Sequence, residues 1–276
     1  MPSQTLELLT DCMGTVKAAK DAADWGCPAE LRIPSIRGQL RFWARAVLGG
    51  TREHKLFGGV NGAAHGLAAA HAVASRFSLS LKPRSVGHTE QSVAICPHKG
   101  GAKRPAIEHG SKFDLSWTLL RPPSLVAERE RLEGDFQRVL KTWCLLGGLG
   151  ARVNRAAGSV WPVGFAPSVG DFTKAVSPLL GNPSVRFAVL DKVTAEAIDL
   201  RKIASDTVIS HSESLGSAKP RKASPLKLKV GRFSDGYRLI AVWDNRDMRG
   251  GNLAAGVADL CAGGKALGPL LKTAGM

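Results

Sequence analysis

Acidic residues are scarce in this chain relative to basic ones. Its 276 residues include 38 Lys and Arg but only 23 Asp and Glu, which gives a formal net charge of +15 and a sequence pI near 10.0. An excess of this size causes self-repulsion in the folded state unless a polyanion neutralises it. We therefore expect a polyanionic partner, either a nucleic acid or an anionic membrane surface.

Long apolar runs are also lacking. No stretch approaches the roughly 18 consecutive apolar residues that a membrane-spanning helix needs. The first residues, Met-Pro-Ser-Gln-Thr-Leu-Glu, do not have the basic-then-apolar order of a secretory signal. These two features favour a cytoplasmic protein without a membrane partner, and they make nucleic acid the expected polyanion.

Paired cysteines and metal-binding motifs are lacking too. The five cysteines are an odd number without a C-x-x-C pair, as is typical of small buried residues in a reducing compartment. The seven histidines show no spacing such as H-E-x-x-H, and Cys96 with His98 and His109 is a poor zinc candidate. We expect no metal and no cofactor, and we expect Asp11 to be a lone carboxylate.

Two long helices are predicted by apolar residues at helical spacing. The first begins where Ser35 can cap it and ends at Gly49-Gly50, and the second covers 126–146. Strands are expected at 4–16, 76–82, 93–96 and 112–120, so strand, helix, strands and helix follow the ferredoxin-like order. The apolar stripes consist of Ile36, Leu40, Trp43 and Val47 in the first helix and of Leu132, Phe136, Val139, Trp143 and Leu146 in the second.

A row of arginines marks the first helix as a candidate RNA-binding surface. Arg37, Arg41 and Arg45 are four residues apart, about 100–180° around the helix from its apolar stripe, and Arg32 lies just upstream. Arginine donates in forked pairs that suit phosphate oxygens. No Asp or Glu occurs between Arg32 and Arg52, which argues against the alternative of an ordinary solvated helix face.

The glycine-rich segment 147–159 after the second helix is another candidate site. Gly148 and Gly150 would let the backbone approach a phosphate chain, and Arg152 and Arg155 would add charge. No Gly-Lys-Ser/Thr follows, and the segment succeeds a helix instead of a strand, so it is neither a P-loop nor a dinucleotide fingerprint. The alternative is a flexible helix terminator.

Two further segments are predicted to be exposed basic loops, at 98–110 and at 214–224. The second contains Lys219, Arg221 and Lys222. It is either a solvated linker or a segment that becomes ordered when it binds RNA.

Three motifs in one order resemble the RAMP superfamily, specifically the head-end subunit of the type III-B (Cmr) CRISPR effector. Residues 28–50 (PAELRIPSIRGQLRFWARAVLGG) resemble the opening motif of the family, and 55–59 (KLFGG) resemble its Leu-Phe-Gly-Ser element with Gly59 at the serine position. Residues 146–152 (LGGLGAR) are similar to its glycine-rich loop. Beyond that loop, Asn154, Ala156 and Ala157 depart from the more basic and aromatic family pattern.

The resemblance implies an α+β fold of two ferredoxin-like (RRM-like) domains, each an antiparallel sheet covered by helices. We place them at 1–164 and 165–276, with helices near 172–180 and 195–204, strands at 226–230 and 237–243, and a weak helix near 253–261. The resemblance further implies a non-catalytic subunit that holds the 3′ part of the guide RNA, engages the paired target RNA and assembles with other RAMP subunits.

Two alternatives remain open from the sequence. One is a metal-independent endoribonuclease that matures guide RNA, with His88, His98 or His211 as general acid or base. The other is an assembly scaffold that uses only part of its basic surface.

Overall fold

The structure, a computed structural model, describes residues 1–14, 29–59, 73–89, 93–95, 103–181, 184–210 and 226–244. These ranges contain both helices and strands, and every strand pair in them is antiparallel. The elements are β1 (Ser3–Leu8), α1 (Ile33–Leu48), α2 (Gly50–Phe57), β2 (Phe77–Ser85), β3 (Val93–Ala94), β4 (Lys103–Arg104), β5 (Lys112–Leu119), α3 (Val126–Leu146), β6 (Val160–Pro162), α4 (Val169–Leu180), β7 (Val185–Val189), α5 (Ala197–Ser210), β8 (Lys227–Phe233) and β9 (Gly236–Asp244).

The N-terminal part is built on a four-stranded sheet in the order β2-β5-β1-β6. β1 lies inside the sheet, where it pairs with β5 on one side and with β6 on the other. Since α1 connects β1 to β2 and α3 connects β5 to β6, the principal elements follow the order β-α-β-β-α-β, which is ferredoxin-like connectivity. The predicted combination of helices with antiparallel strands is confirmed.

The two predicted apolar stripes hold α1 and α3 on the sheet. All nine side chains named for them are buried, and Trp43, Trp143 and Phe136 are at most 1% exposed. Phe136 of α3 stacks on Phe77 of β2 with ring centroids 4.1 Å apart. The stripes are thus confirmed, and they turn the remaining faces of both helices away from the sheet.

The start of α1 differs from its predicted position. The helix begins at Ile33 with Arg32 as N-cap residue, and no side chain caps it. The backbone N–H of Ser35 already donates to the carbonyl of Arg32 at 3.0 Å. Pro34 fits inside the first turn because no intrahelical acceptor exists there for the N–H that proline lacks. The prediction that Ser35 caps the helix was wrong.

The short helix α2 was not predicted. Gly49, with φ of +89°, lets the chain turn sharply, and α2 begins at the next residue. Its sequence GTREHKLF is too short and too polar for a visible stripe, yet Glu53, His54, Leu56 and Phe57 are all buried. The chain therefore folds back on α1 directly after α1 ends.

The C-terminal part contains a three-stranded sheet in the order β7-β9-β8, accompanied by α4 and α5. Its predicted helices and strands are confirmed to within a few residues, whereas the weak helix near 253–261 lies outside the described residues. Trp161 of β6 stacks on Phe172 of α4 and contacts Phe233 of β8, so the apolar cores of both parts are continuous. The domain boundary at 164 and a second ferredoxin-like domain stay predictions.

One predicted loop is partly a strand. β4 pairs with β3, and Ala106 and Ile107 behind it are buried. Ile107 exchanges two backbone hydrogen bonds with Cys12, both 2.9 Å long. The prediction of an exposed loop at 98–110 was therefore wrong for 103–107, and 96–102 lie outside the described residues. No helix in the described part of the chain is long and apolar enough to cross a bilayer.

Gly147, directly after α3, lies where α1 and α3 come together. A Cβ atom on this residue would stand 2.7 Å from Nε1 of Trp43 and 2.7 Å from the carbonyl oxygen of Trp143. Both indoles are fully buried, so neither can move away cheaply. Only glycine lets the two helices approach this closely.

Replacement Gly147→Ala should lower the free energy of unfolding by about 1–3 kcal/mol, since the added methyl overpacks the site. Urea unfolding followed by circular dichroism measures the change. Gly134→Ala in α3 is the matched control, because a Cβ there has no neighbour within 4 Å. It should stabilise the chain by about 0.5–1 kcal/mol through the higher helix propensity of alanine. Equal effects of both replacements would contradict the packing described for Gly147.

Candidate nucleic-acid interface

The predicted arginines occupy the outer flanks of α1. Arg32 and Arg45 are exposed, while Arg37 and Arg41 are half-buried. In the described part of the chain no carboxylate forms an ion pair with Arg32, Arg37 or Arg45. The buried stripe behind these residues fixes the helix, so their positions along it are fixed as well.

Arg37 carries a buried donor without an acceptor. Its Nε atom is inaccessible to solvent and has no hydrogen-bond partner among the described residues. A buried N–H that is left unpaired costs about 1–3 kcal/mol, so native proteins almost always pair such groups. An anion that reaches α1 from outside would supply acceptors for this guanidinium group.

Arg41 has an acidic partner, contrary to the prediction of an acid-free stripe. Its Nε donates to Oε1 of Glu53 at 2.5 Å, and the Glu53 side chain is fully buried. Glu53 lies on α2, just beyond the acid-free stretch of sequence, and the sharp turn at Gly49 brings it back against α1. The side chain of Arg41 stays 32% exposed, so the ion pair orients the guanidinium group and leaves part of it accessible.

The glycine-rich segment is a closed, hydrogen-bonded turn instead of an open cradle. Leu149 donates its N–H to Gly158, Ala151 donates to Met13, and Gly158 donates to Asp11, over 2.8–3.0 Å. These three N–H groups are therefore already occupied by carbonyl oxygens of the chain. The segment packs tightly against the strand β1 and the residues that follow it.

The glycines of this segment have packing roles. Gly148 is buried, and its carbonyl accepts a hydrogen bond from Nε1 of Trp143 at 3.3 Å. Gly150 is exposed with φ of +81°, and a Cβ on it would stand 2.6 Å from the carbonyl oxygen of Met13. These contacts explain both glycines without RNA, and their contact with RNA stays a prediction.

The two arginines of the segment differ in exposure. Arg152 is exposed and has a positive φ of 60°, so the turn itself presents it to solvent. Arg155 is half-buried, and its N–H donates to the carbonyl of Arg152 at 2.8 Å. Of the two, Arg152 is the one that an RNA phosphate could reach directly.

The structure brings α1 and the glycine-rich segment together at one small cleft. Gln39 and Trp43 of α1, the start of the glycine-rich segment and β8 line it. Two of the predicted sites are therefore neighbours. Lys219, Arg221 and Lys222 of the third, and His98 and His211, lie outside the described residues.

Two lysines of β8, which the sequence analysis did not predict, complete the lining. Lys227 donates to Oδ1 of Asn154 at 3.0 Å. Lys229 is 3% exposed and donates to the carbonyl of Cys144 at 2.5 Å, near the C-terminal end of α3. Burial lowers the pKa of Lys229 to about 7. The alternation Leu-Lys-Leu-Lys-Val at 226–230 predicts a strand with both lysines on one face. It could not show that other parts of the chain cover this face and bury Lys229.

Other titratable side chains form hydrogen bonds within the protein or are buried in its core. Asp11, expected to be a lone carboxylate, accepts hydrogen bonds from the N–H and the Nδ1 of His109, at 3.1 and 2.8 Å. The Nε2 of exposed His88 lies 3.1 Å from the carbonyl of Ala29. Burial raises the pKa of both Cys12 and Cys144 to about 12, and both are free, which confirms their prediction as buried apolar residues.

The replacement Arg41→Ala should destabilise the chain by about 2–3 kcal/mol, because it leaves the buried carboxylate of Glu53 without a counter-charge. Arg45→Ala removes the same charge from an exposed position and should change stability by less than about 0.5 kcal/mol. Urea unfolding of both variants provides the comparison. Adding Glu53→Gln to Arg41→Ala should recover part of the loss, and identical stabilities of the two single variants would refute the structural role of the ion pair.

Comparison with known proteins agrees with the observed connectivity. The RAMP superfamily model matches residues 28–161, a stretch that includes α1, the four-stranded sheet apart from β1, and the glycine-rich segment. No curated protein matches the chain.

Solved structures extend the likeness over most of the chain. The fold is similar to that of Cmr1 from Pyrococcus furiosus, with a TM-score of 0.56 and 16% identity, over 88% of this chain and 87% of that chain. A chain of the type III-B Cmr-beta complex bound to cognate target RNA and AMPPnP matches with a TM-score of 0.49 and 11% identity, over 87% and 93% of the two chains. In its motifs, its connectivity and the family match, the stretch 28–161 is therefore similar to the RAMP superfamily.

Proposed function

We propose that the chain is a non-catalytic RNA-binding subunit of a type III-B (Cmr) CRISPR effector. In this function it engages the 3′ part of the guide RNA and the paired target RNA, and it assembles with other RAMP subunits. The observation that carries the proposal is the outer flank of α1, where Arg37 and Arg45 have no carboxylate partner among the described residues and Arg37 has a buried unpaired donor.

Charge and fold support this function independently. The net charge of +15 favours a polyanionic partner, and α1 concentrates part of this charge on one helix. The RAMP match covers this helix, and Cmr1 is a solved chain of similar fold. We also propose that residues 165–276 form a second ferredoxin-like domain, which their antiparallel sheet with α4 and α5 supports.

Arg37 and Arg45 are the appropriate residues for a binding test. Arg41 is unsuitable, because its replacement would leave the buried carboxylate of Glu53 without a counter-charge. A loss of RNA affinity could then result from destabilisation of the fold. Arg131 and Lys141, two exposed residues of α3, offer a control that removes the same charge from another helix.

The double variant Arg37→Ala/Arg45→Ala should bind single-stranded RNA more weakly and with a smaller dependence on salt. If each arginine contacts one phosphate, the slope of log K against log salt should fall by about 1.4. Fluorescence anisotropy of labelled RNA with the full chain at several salt concentrations measures both quantities. The variant Arg131→Ala/Lys141→Ala should keep the wild-type slope, and equal slopes for wild type and Arg37→Ala/Arg45→Ala would contradict the proposal.

A further inference from the structure

Phe42 exposes an aromatic ring on the outer side of α1. It is 39% exposed, and it is the one aromatic among the exposed large apolar side chains of the described residues. Most other aromatic side chains of these residues belong to the core. A single exposed ring is too small for an apolar docking patch.

The ring is held in a defined orientation. It meets the buried Trp43 edge to face, with centroids 5.4 Å apart and an interplanar angle of 86°. The Nζ atom of Lys227 stands 4.4 Å from the ring centroid and also donates to Asn154 in the glycine-rich segment. Trp43 of α1 and Lys227 of β8 thus hold Phe42, so stacking on it would cost little additional ordering.

Cationic side chains lie close to the ring of Phe42. Arg45 lies three residues further along α1, which places the two side chains on neighbouring positions of the helix surface, with Cβ atoms roughly 5–6 Å apart. Lys227 lies across the ring. An aromatic face beside backbone-binding cations is the arrangement that single-stranded nucleic acid requires.

We propose that Phe42 is a stacking platform for one unpaired RNA base, next to the phosphates bound by the arginines of α1. The inference rests on the proposed function and adds a base contact to it. Because every base has a flat face, the platform accepts any base and does not select a sequence. Lys227 supports the ring by its cation–π contact and anchors it to β8.

The test compares Phe42→Leu with Phe42→Trp in the full chain, using anisotropy of single-stranded RNA. Leucine keeps apolar volume against Trp43 but has no π face, so affinity should fall by about 5- to 100-fold. The salt dependence of binding should stay at the wild-type slope, because no charge is removed. Tryptophan should retain wild-type affinity, and thermal unfolding should show that both variants fold.

A strand that contains abasic positions provides a second measurement. Wild type should bind it more weakly than the intact strand, and Phe42→Leu should lose this difference. The contrary result is that Phe42→Leu binds intact RNA with wild-type affinity while Arg37→Ala/Arg45→Ala still lowers the salt slope. This result would overturn the stacking proposal and leave the proposed function standing. So would normal RNA binding combined with loss of association with RAMP subunits, which would make Phe42 a protein contact. Failure of the wild-type chain to bind RNA would overturn the platform and the proposed function together.

Discussion

The close approach of α1 and α3 at Gly147 is the constraint on which the rest of the structure depends. Trp43 and Trp143 are both fully buried, and the space between them admits no side chain at Gly147. This contact places the end of α3 against the middle of α1, so the glycine-rich segment that follows α3 must lie beside the arginine-bearing helix. The same packing that stabilises the sheet layer therefore also assembles the cleft between α1, the segment and β8.

Some basic residues form ion pairs or hydrogen bonds within the fold, and others have no acidic partner in the described part of the chain and could bind an external anion. Arg41 is oriented by Glu53, Arg52 pairs with Asp135 through its Nε at 2.8 Å, and Lys229 is buried against the end of α3. Arg37 and Arg45 remain without a carboxylate partner in the described residues. Part of the positive charge of the chain is thus neutralised by internal ion pairs, and the remainder can attract a polyanion.

Periodicity in the sequence predicted the parts of the structure that depend on local pattern. The stripes of α1 and α3 recur as buried faces, because helix geometry alone decides which side chains share a face. Glu53 could not be predicted as the partner of Arg41, since the pair depends on the turn at Gly49 and on a helix too short to have a pattern. The tight packing of Gly148 likewise depends on tertiary contacts, which composition does not contain.

The outer flank of α1 is proposed to bind RNA, with the exposed Arg152 of the neighbouring glycine-rich segment as a further contact. Ultraviolet crosslinking of the full chain to single-stranded RNA, with mass spectrometry of the crosslinked peptides, tests this claim most directly. Crosslinks are expected in α1, at 33–48, and in the glycine-rich segment, at 147–159, within the same preparation. Crosslinks confined to other parts of the chain, with both of these peptides recovered unmodified, would contradict it.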